Sequence, residues 1–190
     1  MRFLQLFFVL IPCYCFSQAD SILEYSRLEK MVMQPGSFVN ISSRTLGEAG
    51  NLAIGTITAT DLTDGKKQRS VCFIATNSFS NVAFSYTNTQ VDIEDLQTFV
   101  NALKKMKEVV DSKKMTDLQT YQYTASNMTV ASLENRLGNQ SKWDLSIYKR
   151  YKYINVIIPG TALYVKGKDI NALVNILNHY LNSLNGNLYD

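Results

Sequence analysis

The sequence predicts an α+β fold: two related antiparallel strand-rich units, each followed by an amphipathic helix, with a short helix ahead of both. Three observations carry this. Apolar residues recur at 3–4 spacing across Leu96–Val110 and again across Ile170–Leu184, which marks two helices with one buried stripe each. Stretches of period two precede both helices, as strands with a covered face require. The chain also matches itself at a shift of 74 positions, the distance from Asp95 to Asp169.

The repeat can be followed without a gap. Asn81-Val82 corresponds to Asn155-Val156, Val91 to Val165, Val100-Asn101 to Val174-Asn175, and Leu103 to Leu177. In the first helix the stripe is Leu96, Phe99, Val100, Leu103, Met106 and Val110. The second has Ile170, Leu173, Val174, Leu177, Tyr180 and Leu184, with Lys107 against Leu181 as the departure. Asp95 and Asp169 fall in the first turns, where the helix dipole favours an acid. Asp92 is a candidate cap for the first helix.

Strands are expected at Asn51–Leu62 and Gln68–Thr76, joined through Asp64-Gly65, with a further one at Ser37–Thr45. Alternation at Val82, Phe84 and Tyr86 adds another. In the second unit the counterparts are Tyr121–Glu134, Lys142–Arg150, the alternating Ile154, Val156 and Ile158, and a short piece at Ala162–Val165, with Gly138-Asn139 in a connection. Asp20–Met33 reads as a helix stopped by Pro35-Gly36. The expected organisation is a leader at 1–19, a helical segment at 20–36, and strand–helix units at 37–111 and 112–190, with 36–190 as one compact pseudo-symmetric pair. In outline this resembles the four-strand-and-helix repeats of Whirly and Pur-alpha type proteins. The resemblance is one of topology; their single-strand nucleic-acid binding rests on motifs this chain does not carry.

Residues 1–19 read as an export signal. Arg2 supplies a positive end, Phe3–Ile11 is a nearly unbroken apolar run, Pro12 interrupts it, and Ser17 and Ala19 suit cleavage before Asp20. The run is shorter than the ~20 residues of a membrane span. Cys13 and Cys15 follow Pro12 and Tyr14, not the small residue that lipid attachment prefers, so a free product in the periplasm, at the cell surface or outside the cell is expected. The short positive end, the scarcity of cysteine and the Asn-, Lys- and Ile-rich style point to a bacterial source.

Composition narrows the function classes. Hydrophobic content of 46% and a net charge of +3 describe a globular chain without a strong global field. Beyond the leader Cys72 is the lone cysteine, so the fold must rest on packing, without an internal disulfide. Cys72 and His179 are the only thiol and imidazole there; Cys72 lies in an apolar strand and His179 beside a helix stripe, which suits filler and surface residue better than a catalytic couple. Ser146-Ile147-Tyr148-Lys149 matches a serine-xx-lysine pattern, but on a strand these two residues face opposite ways. Asp92-Ile93-Glu94-Asp95 lacks the spacing of a calcium loop, and glycine-rich phosphate cradles are missing, so neither metal nor cofactor is expected.

One stretch stands out chemically. Tyr148-Lys149-Arg150-Tyr151-Lys152-Tyr153 interleaves aromatics with cations, and Trp143 lies nearby as a possible sugar platform. An acidic glycan, another envelope protein or a nucleic acid would suit such a strip; a hairpin end with solvated bases and half-buried tyrosines would produce it too. The expected function is a non-enzymatic binding or assembly module. A hydrolase with carboxylates that sequence cannot pair is the alternative.

Overall fold

A computed structural model describes residues 25–76, 84, 88–112, 119–135, 143–153 and 156–186. Helix α1 (Arg27–Met33) precedes a sheet of β1 (Val39–Ala49), β2 (Leu52–Asp61), β3 (Lys67–Ala75) and β4 (Thr89–Asp92), followed by α2 (Leu96–Ser112). The second unit runs β5 (Thr120–Thr124), β6 (Thr129–Asn135), β7 (Trp143–Tyr153), β8 (Val156–Pro159), β9 (Leu163–Lys166) and α3 (Ile170–Gly186). Both sheets are antiparallel and ordered as the chain runs; β8 and β9 share the free side of β7, opposite Arg150–Tyr153 and Asp144–Ile147 respectively.

The repeat is visible element by element. Shifting β4, the 3-10 turn Ile93–Asp95 and α2 by 74 positions gives β9, the 3-10 turn Gly167–Asp169 and α3, end for end. The stripes do what their spacing requires. Leu96, Phe99, Val100 and Leu103 are buried in the same apolar cluster as Ile170, Leu173, Val174 and Leu177. That cluster also takes Ile54, Val71 and Phe73 from the first sheet and Leu133, Leu145 and Ile147 from the second, so the units share one core.

Several expectations need correction. Tyr121–Glu134 is not one strand: Thr120–Thr124 and Thr129–Asn135 pair with each other across a turn at Ala125–Met128, closed by Ala125 N–H to Thr129 O at 2.8 Å. Its alternation persists through the turn, which hides the reversal. The strand expected at Ser37–Thr45 runs longer, over the eleven residues Val39–Ala49, and is hairpinned to β2 at the edge of the sheet. Asp92 does not cap α2. Its carboxylate instead accepts the Arg27 amide at 3.0 Å and the Ser70 hydroxyl at 2.9 Å. Helix α1 starts at Arg27 behind a Ser26–Glu29 capping box; the expected start at Asp20 lies outside the described residues, as do Gly138-Asn139 and the Val82 and Tyr86 positions.

Strand β2 is buried on both faces because the first sheet is covered twice. Leu52 and Ile54 face the shared core, while Ile57 and Ala59 join Cys72 and Leu28 of α1 in a separate apolar cluster. Phe84 packs into that cluster through the space a side chain at Gly55 would fill.

Candidate functional site

The basic-aromatic strip lies on β7, and the pleat divides it. Neighbouring side chains point to opposite faces, so Tyr148 and Arg150 share one side, Lys149 and Tyr151 the other. Tyr148 and Arg150 pair with each other: the guanidinium stands 6.0 Å from the ring centroid, and Gln122 Nε2 donates to the Tyr148 hydroxyl at 3.0 Å. Lys149 does not belong to a surface strip. It is 5% exposed, with Nζ 2.5 and 2.6 Å from the two carboxylate oxygens of Glu29. Trp143 is 7% exposed and packed in the shared core, so its ring is no platform for a sugar. Lys152 and Tyr153 stand opposite Ile157 and Val156 in the β7–β8 ladder, and their side chains are outside the described residues. A six-residue motif read along the chain thus splits into a surface pair and a buried cation.

Around Lys149 lies a buried polar network that joins α1 to both sheets. Glu29 also accepts the Ser26 amide at 2.6 Å; Ser26 Oγ accepts Gln90 Nε2 at 2.8 Å; and the Gln90 carbonyl accepts Asn127 Nδ2 and Thr129 Oγ1 at 2.7 and 2.6 Å. Every partner is occupied by another part of the fold, as buried polar groups require. Cys72 lies beneath α1 with its thiol pushed well up by burial and by the nearby Glu29 and Asp92 carboxylates, the reverse of what a nucleophile needs. Ser146 Oγ donates to the Ser132 carbonyl at 3.2 Å, on the face away from Lys149.

A concavity of about 250 Å³ is lined by Lys149 and Tyr151 with Thr89 and Thr161. Two others of about twice that volume lie where each helix crosses the edge strand of the other unit. Between α2 and β5 is a groove of about 530 Å³, walled by Ala102, Met106 and Val109 on the helix and Tyr121 and Tyr123 on the strand. Asn101 and Lys105 add an amide and a cation from the helix, while Gln122 borders the groove with its side chain turned to the Tyr148 face. Tyr123 is fixed by its hydroxyl contact with Thr98 at 2.7 Å and by an edge contact with Phe99, whereas Tyr121 is 39% exposed. Between α3 and β1 is a second groove of about 470 Å³. Its helix residues Asn175, Ile176, His179, Tyr180 and Ser183 are Asn101, Ala102, Lys105, Met106 and Val109 shifted by 74. The repeat thus places an opening at the same five helix positions twice.

These grooves were not read from the sequence, since a groove needs the partner strand and the partner comes from the other unit. A signal was present: Ala102 is small beside the stripe where the second helix has Ile176.

Fold and grooves together define the class, a pseudo-symmetric α+β protein of two sheet-and-helix units that cross each other's edges. The chain matches no protein-family model, and no curated protein or solved structure is significantly similar to it. Among the described residues no helix is long and apolar enough to cross a membrane, and no cluster of three metal-ligating side chains occurs.

Proposed function

We propose that this is an exported bacterial binding module, not an enzyme, and that it takes an acidic, glycan-like ligand in the groove between α2 and β5. One observation carries the reading: exposed Tyr121 and fixed Tyr123 share a groove of about 530 Å³ with Asn101 and Lys105. Aromatic faces suit the apolar side of a sugar ring, the Asn101 amide suits its hydroxyls, and the Lys105 ammonium suits a carboxylate or sulfate. Tyr148 and Arg150 lie with the Gln122 side chain on the other face of that sheet, outside this groove. The leader pattern at 1–19 supports export, because glycans of this kind are met outside the cytoplasm.

The test is an array of neutral and acidic oligosaccharides probed with the purified protein and two variants. Tyr121→Ala is expected to weaken binding about tenfold across the array, the scale of one lost aromatic contact. Lys105→Gln is expected to weaken acidic members alone. No binder at millimolar concentration, or binding indifferent to both substitutions, overturns the reading. Export is tested separately by cell fractionation, where a chain beginning near Asp20 outside the cytoplasm is expected.

A further inference from the structure

The second groove differs from the first in its charge. Arg44 stands opposite Thr56 on β2, and Arg69 on β3 stands opposite Thr58. Thr56 and Thr58 are two residues apart, so both arginines point to the same face of the first sheet. That is the α3 face, since Ile54 and Phe73 pair on it and pack in the shared core. Arg44 lines the groove, and Arg69 stands two strands in on the same face; burial raises the pKa of the Tyr180 hydroxyl, and the charges of Arg69 and Arg44 oppose that rise. Among the described residues neither arginine enters an ion pair or hydrogen bond.

Nothing on the facing elements balances this charge. Helix α3 contains no acidic side chain from Ile170 to Gly186. The cross-strand rows Asn40–Thr60–Lys67, Ser42–Thr58–Arg69 and Arg44–Thr56–Val71 add a lysine, hydroxyls and an amide, and again no acid. His179 and Ser183 complete the helix side. A cation on an exposed edge strand has a simpler role, which is to discourage pairing with another chain. That accounts for Arg44 on β1. It does not account for Arg69, which is on an inner strand and points to the same face.

We propose that the groove between β1 and α3 is an oxyanion-binding site, in which Arg44 and Arg69 clamp a phosphate, sulfate or carboxylate group of a small ligand beside Tyr180. Planar guanidinium forks match such oxygens two at a time, and at about 470 Å³ the groove has room for one small molecule. The site is independent of the α2–β5 groove and stands if that one binds nothing.

The experiment is thermal unfolding in inorganic phosphate, in sulfate and in glucuronate, each against sodium chloride at equal ionic strength. At about ten times Kd, the preferred anion is expected to raise Tm by about 3–6 °C above the chloride control. The three arms separate phosphoryl, sulfuryl and carboxylate ligands. Arg44→Gln and Arg69→Gln should each abolish the rise. Arg44→Lys, which keeps the charge and loses the fork, should weaken the anion about tenfold, and Lys30→Gln, an exposed cation on α1, should change nothing. For phosphate, line broadening of its phosphorus resonance gives a second readout that does not depend on unfolding. Equal stabilisation by chloride, or a rise that survives both arginine substitutions, overturns the proposal.

Discussion

The two helix crossings share a frame and differ in chemistry. At α2 and β5 the five repeated helix positions are Asn101, Ala102, Lys105, Met106 and Val109, and the strand adds two tyrosines. At α3 and β1 the same positions hold Asn175, Ile176, His179, Tyr180 and Ser183, and the strand adds Arg44. Positions that pack, such as Leu103 and Leu177, are alike because the core constrains them from every side. Positions beside the stripe meet solvent and a neighbour's edge, so they diverge. The repeated fold supplies two openings, and the side chains that the core does not need decide what each can hold.

A second difference between the units is α1, which lies on the first sheet and is tied to the second unit through Lys149. Removing one member of that buried pair has the largest expected effect on the asymmetry. Lys149→Ala leaves the Glu29 carboxylate buried without its cation, at a cost of about 3–5 kcal/mol. Urea unfolding should show this, and the Cys72 thiol, covered by Leu28 of α1, should become reactive towards a thiol reagent under native conditions. Replacing both Glu29 and Lys149 with Met should recover most of the loss. Unchanged stability in Lys149→Ala would mean that α1 is not held by this pair.

The turn clasps give a finer test of the symmetry. Asp95 accepts the Ser126 amide at 2.9 Å, and the Ser126 hydroxyl as well, thereby holding the β5–β6 turn of the other unit. Asp169, its counterpart, reaches the β1–β2 turn: a Cβ at Gly50 would stand 2.6 Å from its Oδ2. Gly50 has φ +62 and Gly36 has φ +80, so alanine is strained at both, but at Gly36 it meets nothing within 4 Å. Gly36→Ala should cost about 1 kcal/mol and Gly50→Ala about 2–3 kcal/mol. Adding Asp169→Ala to Gly50→Ala should close that gap in a double-mutant cycle. Equal costs at the two glycines would show that the second turn is not clasped.

How far the sequence led depended on whether a signal was local. Both long helices, the Asp64-Gly65 turn and the 74-residue repeat follow from spacing that each stretch carries by itself. The break at Ala125–Met128 did not, because Tyr121, Tyr123, Ala131 and Leu133 keep one parity across it and Met128 takes a φ of +62 that only context can enforce. Lys149 was misjudged for a related reason. Its partner Glu29 is 120 positions away, and a charge among tyrosines reads as surface until its counter-ion is found. Trp143 shows the limit from the other side: it packs in the core, and one strand read alone does not say which of its faces the helices cover. Of the six strip residues and Trp143, the structure buries Lys149 and Trp143 and pairs Arg150 with the Tyr148 ring.

Asp92 offers the smallest effect, and one with a definite sign. Sequence suggested a helix cap; the structure gives it a buried post between α1 and β3 instead. Burial pushes its pKa above the ordinary 3.8, helped by Glu94 and Asp95 and opposed by the hydrogen bonds from Arg27 and Ser70. The folded protein therefore holds this proton more tightly than the unfolded chain does. Below pH 3.8 the group is protonated in both states and costs nothing by this route. As pH rises through 3.8 to the folded value, the unfolded chain releases the proton first, so stability falls, and above that range the penalty is constant. Asp92→Asn removes the titration. Stability measured by urea unfolding from pH 3 to pH 7 should fall for the wild type relative to this variant over the lower part of the range, then run parallel. A wild type that instead gains on the variant as pH rises would mean that the two hydrogen bonds outweigh burial, and that α1 is docked by a carboxylate the fold prefers charged.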